Sequence, residues 1–217
     1  MQNSSITRSW VASGLICICL AFAGLIGFSL PAYTASDPVT ESHQGRSLDD
    51  AKQFITKLAH QSISVLQDTG QTELERQHQF EKVWSDGVAF ETIGRFVLGR
   101  HWRSASPEQR IRYQELFVAS VMRTSVSVLG SFGDEKLQIT DARLAGKKDM
   151  LISTQFVRTD GPTIPVDWRV RVIDGRNQII DVSIEGVSMA LTKRSEYSSV
   201  VKNQGFEGLL EALQSSI

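Results

Sequence analysis

The apolar positions of this chain follow two rhythms, and the change between them divides it into helical and strand-forming parts. From Leu48, the residues Ala51, Ile55, Leu58, Ser62 and Val65 recur at steps of three and four. Ser47 stands as an N-cap, Asp49 and Asp50 occupy the first turn, and Gly70 waits as a stop, so the spacing predicts an amphipathic helix. Thr72 and Glu75 form a capping box for a second helix carrying Leu74, Phe80, Val83 and Trp84 and stopping near Gly87. Phe90–Leu98 reads as a short third helix with Gly99 as its stop. Ser106-Pro107-Glu108-Gln109 then opens the longest helix with an N-cap serine, proline at N1 and glutamine at N3. No glycine or further proline interrupts it before Leu129, which makes it about 35 Å long at 1.5 Å per residue. Its inner stripe reads Tyr113, Leu116, Phe117, Ser120, Val121, Thr124 and Val128.

After Gly130 the period becomes two. Residues 137–144 and 150–157 predict strands around the turn Ala145-Gly146-Lys147-Lys148-Asp149, with Met150, Ile152, Thr154 and Phe156 on one face. Ile164, Val166, Trp168, Val170 and Val172 alternate with Pro165, Asp167, Arg169 and Arg171. Asp174-Gly175-Arg176-Asn177 supplies turn residues, and Ile180, Val182 and Ile184 alternate against Asp181, Ser183 and Glu185. Helical spacing returns through Tyr197, Val200, Val201, Phe206, Leu209, Leu210 and Leu213. The order predicts an α+β fold: a curved, four-stranded antiparallel sheet covered by the long helix, with a helical annex. That arrangement resembles an NTF2-like cone, which holds a pocket between helix and sheet. Alternation places Ile152, Phe156, Val166, Trp168, Val170, Ile180 and Val182 on the pocket wall, with Val121 and Val128 facing them from the long helix.

Composition narrows the class. The chain is 41% hydrophobic and 22% charged, which suits a packed globular domain. A formal net charge of −1 provides no electrostatic footprint for nucleic acid. Residues 10–30 contain no charged side chain, follow Arg8 and precede Leu30-Pro31-Ala32-Tyr33-Thr34-Ala35. This is the layout of an export signal peptide over residues 1–35, cleaved near Ala32 or Ala35. The run also has the ~20 apolar residues that an uncleaved membrane anchor needs. Residues 36–46 read as a linker, and 47–217 as one domain with a helical part over 47–105 and the long helix, sheet and C-terminal helices over 106–217. Both cysteines, Cys17 and Cys19, lie in the apolar run, so the domain has no disulfide and depends on its core.

Candidate chemistry is sparse. His43, His60, His78 and His101 are not at metal-ligand spacing, and neither a metal nor a cofactor is expected. Gly186-Val187-Ser188-Met189-Ala190 mimics a nucleophile elbow, but that elbow requires a later histidine and the last is His101. Ser199-Val200-Val201-Lys202 matches S-x-x-K without its companion motifs. Asp167 should point away from the apolar face beside Arg169, where a cross-strand ion pair accounts for it. Trp168 is either core or pocket wall. Trp102 is either an exposed anchor for a partner or is tucked against the start of the long helix. These features favour a non-enzymatic binding protein, with a small-molecule enzyme on the same cone as the alternative.

Several blocks resemble one family. Phe96-Val97-Leu98-Gly99-Arg100-His101-Trp102-Arg103 followed by Ser106-Pro107-Glu108-Gln109-Arg110 is similar to its LGRxWR…SPEQR segment. Arg158-Thr159-Asp160-Gly161-Pro162-Thr163-Ile164-Pro165-Val166-Asp167-Trp168-Arg169 and Asp181-Val182-Ser183-Ile184-Glu185-Gly186-Val187-Ser188 resemble its strand blocks. Gly205-Phe206-Glu207-Gly208-Leu209 resembles its final helix. This is the toluene-tolerance family of MlaC-type periplasmic phospholipid-binding proteins, and the likeness runs in order from about Leu48 to Leu213. The resemblance implies a periplasmic lipid carrier of a Gram-negative bacterium, exported by a signal peptide. It would move phospholipid between an outer-membrane lipoprotein complex and an inner-membrane ABC transporter complex, maintaining outer-membrane lipid asymmetry. A sub-branch associated with hopanoid synthesis makes a hopanoid the alternative cargo. On this reading the pocket-wall residues hold acyl chains.

Overall fold

The computed structural model describes residues 47–129, 136–157 and 162–217, with side chains as far as residue 126 in the first stretch. The expected leader, the linker, the Asp160-Gly161 turn and the side chain of Val128 lie outside the described residues. Helix α1 spans Leu48–Gln67, α2 Glu73–Gly87, α3 Phe90–Leu98, α4 His101–Ser104 and α5 Pro107–Leu129. Strands follow at Lys136–Ala145 (β1), Asp149–Val157 (β2), Ile164–Ile173 (β3), Arg176–Ile184 (β4) and Val187–Ser188 (β5), before α6 at Met189–Ser215.

Helix starts follow their local chemistry. The Ser47 hydroxyl accepts from Asp50 N, and Thr72 and Glu75 cap α2 reciprocally. At α5, Ser106 Oγ accepts from Gln109 N at 3.2 Å while Gln109 Oε1 accepts from Ser106 N at 3.0 Å. Helix α6 is broken at Gly205, whose φ of 75° and ψ of −179° suit only glycine.

The sheet is an open antiparallel meander in the order β1-β2-β3-β4-β5. The four long strands are those expected; the two-residue β5 is an addition. Asp174 and Gly175, both at positive φ, close the β3–β4 hairpin between Ile173 and Arg176, as a two-residue turn matched to strand twist requires. Glu185 and Gly186, also at positive φ, turn β4 into β5.

Two apolar clusters result. In the first, Ala51, Ile55 and Leu58 of α1 and Phe80 and Trp84 of α2 pack on Met150, Ile152 and Phe156 of β2, Val166, Trp168 and Val170 of β3 and Ile179 of β4. The second joins Val97 and Leu98 of α3, Tyr113, Leu116 and Phe117 of α5, and Tyr197, Leu209, Leu210 and Leu213 of α6. Helix α5 serves both. Its Met122, with Val118 and Val126, meets the sheet cluster, while Tyr113, Leu116, Phe117 and Val121 meet the second. The cover of the sheet is therefore shared, with α1 and α2 contributing beside α5.

Candidate functional site

The apolar face of the sheet meets α1 through a stripe set by helical periodicity. Ile55, Leu58, Ala59, Ser62 and Ile63 of α1, with Trp84 of α2, face Phe156 of β2 and Trp168 of β3 across a crevice of ≈ 10 Å³. That is about the room one water needs. Among the described residues, no titratable side chain lines it. Its polar atoms are tied down: Trp84 Nε1 donates to Ser62 Oγ at 3.0 Å, and Ser62 Oγ donates to Leu58 O at 2.7 Å. Trp168 Nε1 donates to Thr154 Oγ1 at 2.9 Å, and Thr154 Oγ1 donates to Val166 O at 2.9 Å. With every hydrogen-bonding group inward-satisfied, the crevice presents only hydrocarbon and indole surface. Such a lining is complementary to an apolar chain, and among the described residues it places no general acid, base or nucleophile in the crevice.

The structure brings Ile152, Phe156, Val166, Trp168 and Val170 together on this face, each buried. Val182, half-buried and opposite Trp168, packs against the same cluster. Ile180 is not part of that array. The β3–β4 register slips between Arg169 and Val170, so Arg169 pairs with Asp181 but Val170 pairs with Ile179. Ile180 is the extra residue of a bulge, and Ile179, 1% exposed, takes the inward place. The link between α2 and α3 uses the irregularity: Ala89 N donates to Ile179 O at 2.9 Å. Val121 lies on the α5 stripe that packs against the second cluster and not against the sheet cluster. Val128 falls outside the described side chains. Consecutive Ile179-Ile180 was the available signal for the bulge, because strict alternation does not put two isoleucines side by side.

Asp167 is not the partner of Arg169. Asp149, at the start of β2 on the sheet's opposite face, accepts from Arg171 Nε at 2.7 Å and lies 3.5 Å from Arg169 Nε. The register that sets Asp149 against Arg171 decides this pairing, and the turn-like sequence around Lys148 concealed it. Ser188, the serine of the elbow-like motif, is the N-cap of α6: it accepts from Leu191 N and donates to Asp181 Oδ2 at 2.6 Å. Trp102 is half-buried, with Arg95 and Arg110 over its ring at 5.4 and 5.5 Å and Tyr113 against its edge. It is tucked against the start of the long helix. Burial pushes the Tyr113 hydroxyl far above its ordinary range, with Tyr197 adding to the shift, and Tyr113 donates to Gly94 O at 3.1 Å. Among the described residues, no cluster of three His, Cys, Asp or Glu could hold a metal ion. No described helix is long and apolar enough to cross a membrane.

Comparison with known proteins adds to the geometry. The sequence model of a family described as MlaC protein matches residues 56–215. The intermembrane phospholipid transport system binding protein MlaC of Haemophilus influenzae is 25% identical over 134 residues, covering 59% of this chain and 62% of that protein. Toluene tolerance protein ttg2D of Pseudomonas putida is 22% identical over 106 residues, 49% of each chain. The matches thus span about six-tenths and about half the length of these curated relatives. A solved structure of a phospholipid-binding protein from Ralstonia solanacearum, in complex with a phospholipid, superposes with a TM-score of 0.68 at 20% identity. It covers 77% of this chain and 96% of its own, and shows a shared fold.

Proposed function

This chain belongs to the MlaC protein family, and from that premise we propose that it is a non-catalytic carrier of phospholipid, holding acyl chains between α1 and the sheet. The observation that carries this reading is the crevice, where two tryptophans and a stripe of α1 meet the sheet with every indole N–H internally bonded. A carrier needs no more chemistry than that. Two acyl chains hold roughly thirty methylenes, each worth ~0.8 kcal/mol on leaving water. A bilayer already supplies that burial, so an apolar slot need only match it for exchange to be close to neutral.

At ≈ 10 Å³ the crevice is far below the ~300–1,000 Å³ of sites that hold a small ligand. Loading therefore requires α1 and Trp84 to part from β2 and β3, with acyl chains replacing the contacts they give up. In the cell the chain is exported to the periplasm and passes lipid between an outer-membrane lipoprotein complex and an inner-membrane ABC transporter complex.

Lipid extraction and mass spectrometry of protein purified from a Gram-negative periplasm test the proposal. About one phospholipid per folded chain supports it, a hopanoid in that place changes the cargo, and folded protein without lipid that takes none from vesicles contradicts it.

A further inference from the structure

Away from the crevice, exposed apolar side chains gather at one place. Among the described residues seven large hydrophobic side chains are exposed, and three of them, Phe96, Val187 and Leu191, fall where α3 packs against the start of α6. Arg194 of α6 joins them. Its guanidinium lies 4.9 Å from the centre of the Phe96 ring and donates to Phe96 O at 3.2 Å. Gly99 makes room for it, since a Cβ there would stand 2.9 Å from Arg194 Nη2. Leu191 precedes Arg194 by one helical turn, on the same side. Val187 stands just before Ser188, the cap whose hydroxyl accepts from Leu191 N at 3.1 Å, so both aliphatic chains flank one helix start.

The charge around these chains is lopsided. Arg100 adjoins Gly99, and neither Arg100 nor Arg194 forms an ion pair with a described residue. Nearby, Arg95 is taken by Glu91 at 3.5 Å and Lys193 by Glu196 at 2.8 Å. Glu185, exposed in the turn before Val187, sets one acid against the two guanidiniums. A phenyl ring and aliphatic chains rimmed by uncompensated cations are complementary to an anionic surface with an apolar layer beneath it. With 41%, 54% and 58% of Phe96, Val187 and Leu191 exposed, the patch has no socket for a partner's side chain, and a fluid headgroup layer requires none.

We propose that this surface seats the protein transiently on an anionic bilayer, with Phe96, Val187 and Leu191 entering the headgroup layer and Arg100 and Arg194 meeting lipid phosphates. The patch shares no residue with the crevice, and its test does not depend on the carrier reading.

Protein recovered from the periplasm is sedimented with sucrose-filled vesicles, either of phosphatidylcholine alone or of phosphatidylcholine and phosphatidylglycerol in equal parts. Binding should favour the anionic vesicles and weaken as salt is added. A cation near such a surface contributes about five- to sixfold to partitioning, so Arg100→Gln with Arg194→Gln should lower it about thirtyfold. Arg194→Lys, which gives up the planar fork over Phe96 and keeps the charge, should retain most of the binding. Val187→Ser with Leu191→Ser should weaken it as well. Lys57→Gln with Lys82→Gln, the same charge change at exposed positions of α1 and α2, should leave it as it was. All the replaced side chains are exposed, so the fold survives their loss. An equal loss in the Lys57 and Lys82 control, or full binding by the Val187 and Leu191 variant, reduces the effect to net charge and overturns the proposal. Wild-type protein that leaves the anionic vesicles unbound overturns it too, and assigns the patch to an acidic protein surface instead.

Discussion

The indole of Trp168 on β3 donates to the hydroxyl of Thr154 on β2 at 2.9 Å, inside a face that is otherwise hydrocarbon. Thr154, 1% exposed, passes its own proton toward Val166 O. The pair fixes the indole plane at the wall of the crevice.

Thr154→Val keeps the shape and removes the relay, leaving a buried N–H without a partner. Such a loss costs ~1–3 kcal/mol, so the melting temperature should fall by roughly 3–10 °C for a domain of this size. Adding Trp168→Phe to Thr154→Val removes the orphaned donor, and the double variant should lose less than the sum of the two single changes. Strict additivity in thermal denaturation would show that the bond is energetically idle.

The bulge in β4 makes a second prediction. Ile179→Ala opens a cavity beside Val170 and Met150 and should cost ~2–5 kcal/mol. Ile180→Ala, at the half-buried extra residue, should cost much less. Urea denaturation of the two variants separates them, and a reversed order would restore unbroken alternation in β4.

Much of this arrangement was legible in the chain, for reasons that also explain what was hidden. Val166, Trp168 and Val170 alternate because one face of β3 is buried, and the pattern reports that directly. Ser47, Thr72 and Ser106 announce their helices because each satisfies backbone donors within its own first turn. Ile180 misled because period two cannot register an extra residue. Helix α5 misled because it lies between two clusters and is apolar on both sides, and its aromatic stripe, Tyr113 and Phe117, belongs to the α3–α6 side. The pairing of Asp149 could not be read at all, since it depends on strand register.

His101 supplies a pH dependence. Its imidazole is held below the ordinary histidine value of 6.5, first by partial burial and then by the charge of Arg100. The folded chain therefore binds that proton less readily than the unfolded chain. The sign follows: stability present above pH 6.5 is lost as pH falls from 6.5 toward the lowered folded value, and the loss is then complete. NMR titration should place the His101 midpoint below 6.5, and His101→Asn should flatten that part of the stability profile. A midpoint above 6.5 would reverse the sign.

The account stands most directly on where acyl chains go. Trp84 and Trp168 line the crevice, whereas Trp102 packs with Tyr113 in the other cluster. Full-length variants that keep one of these three tryptophans, with the others and Trp10 changed to Phe, can be loaded with phospholipid brominated along its acyl chains. Bromine quenches only at contact distance. The account predicts strong quenching of Trp84 and Trp168 and little of Trp102. Loaded protein in which Trp84 and Trp168 emit undiminished, or in which Trp102 alone is quenched, would contradict it.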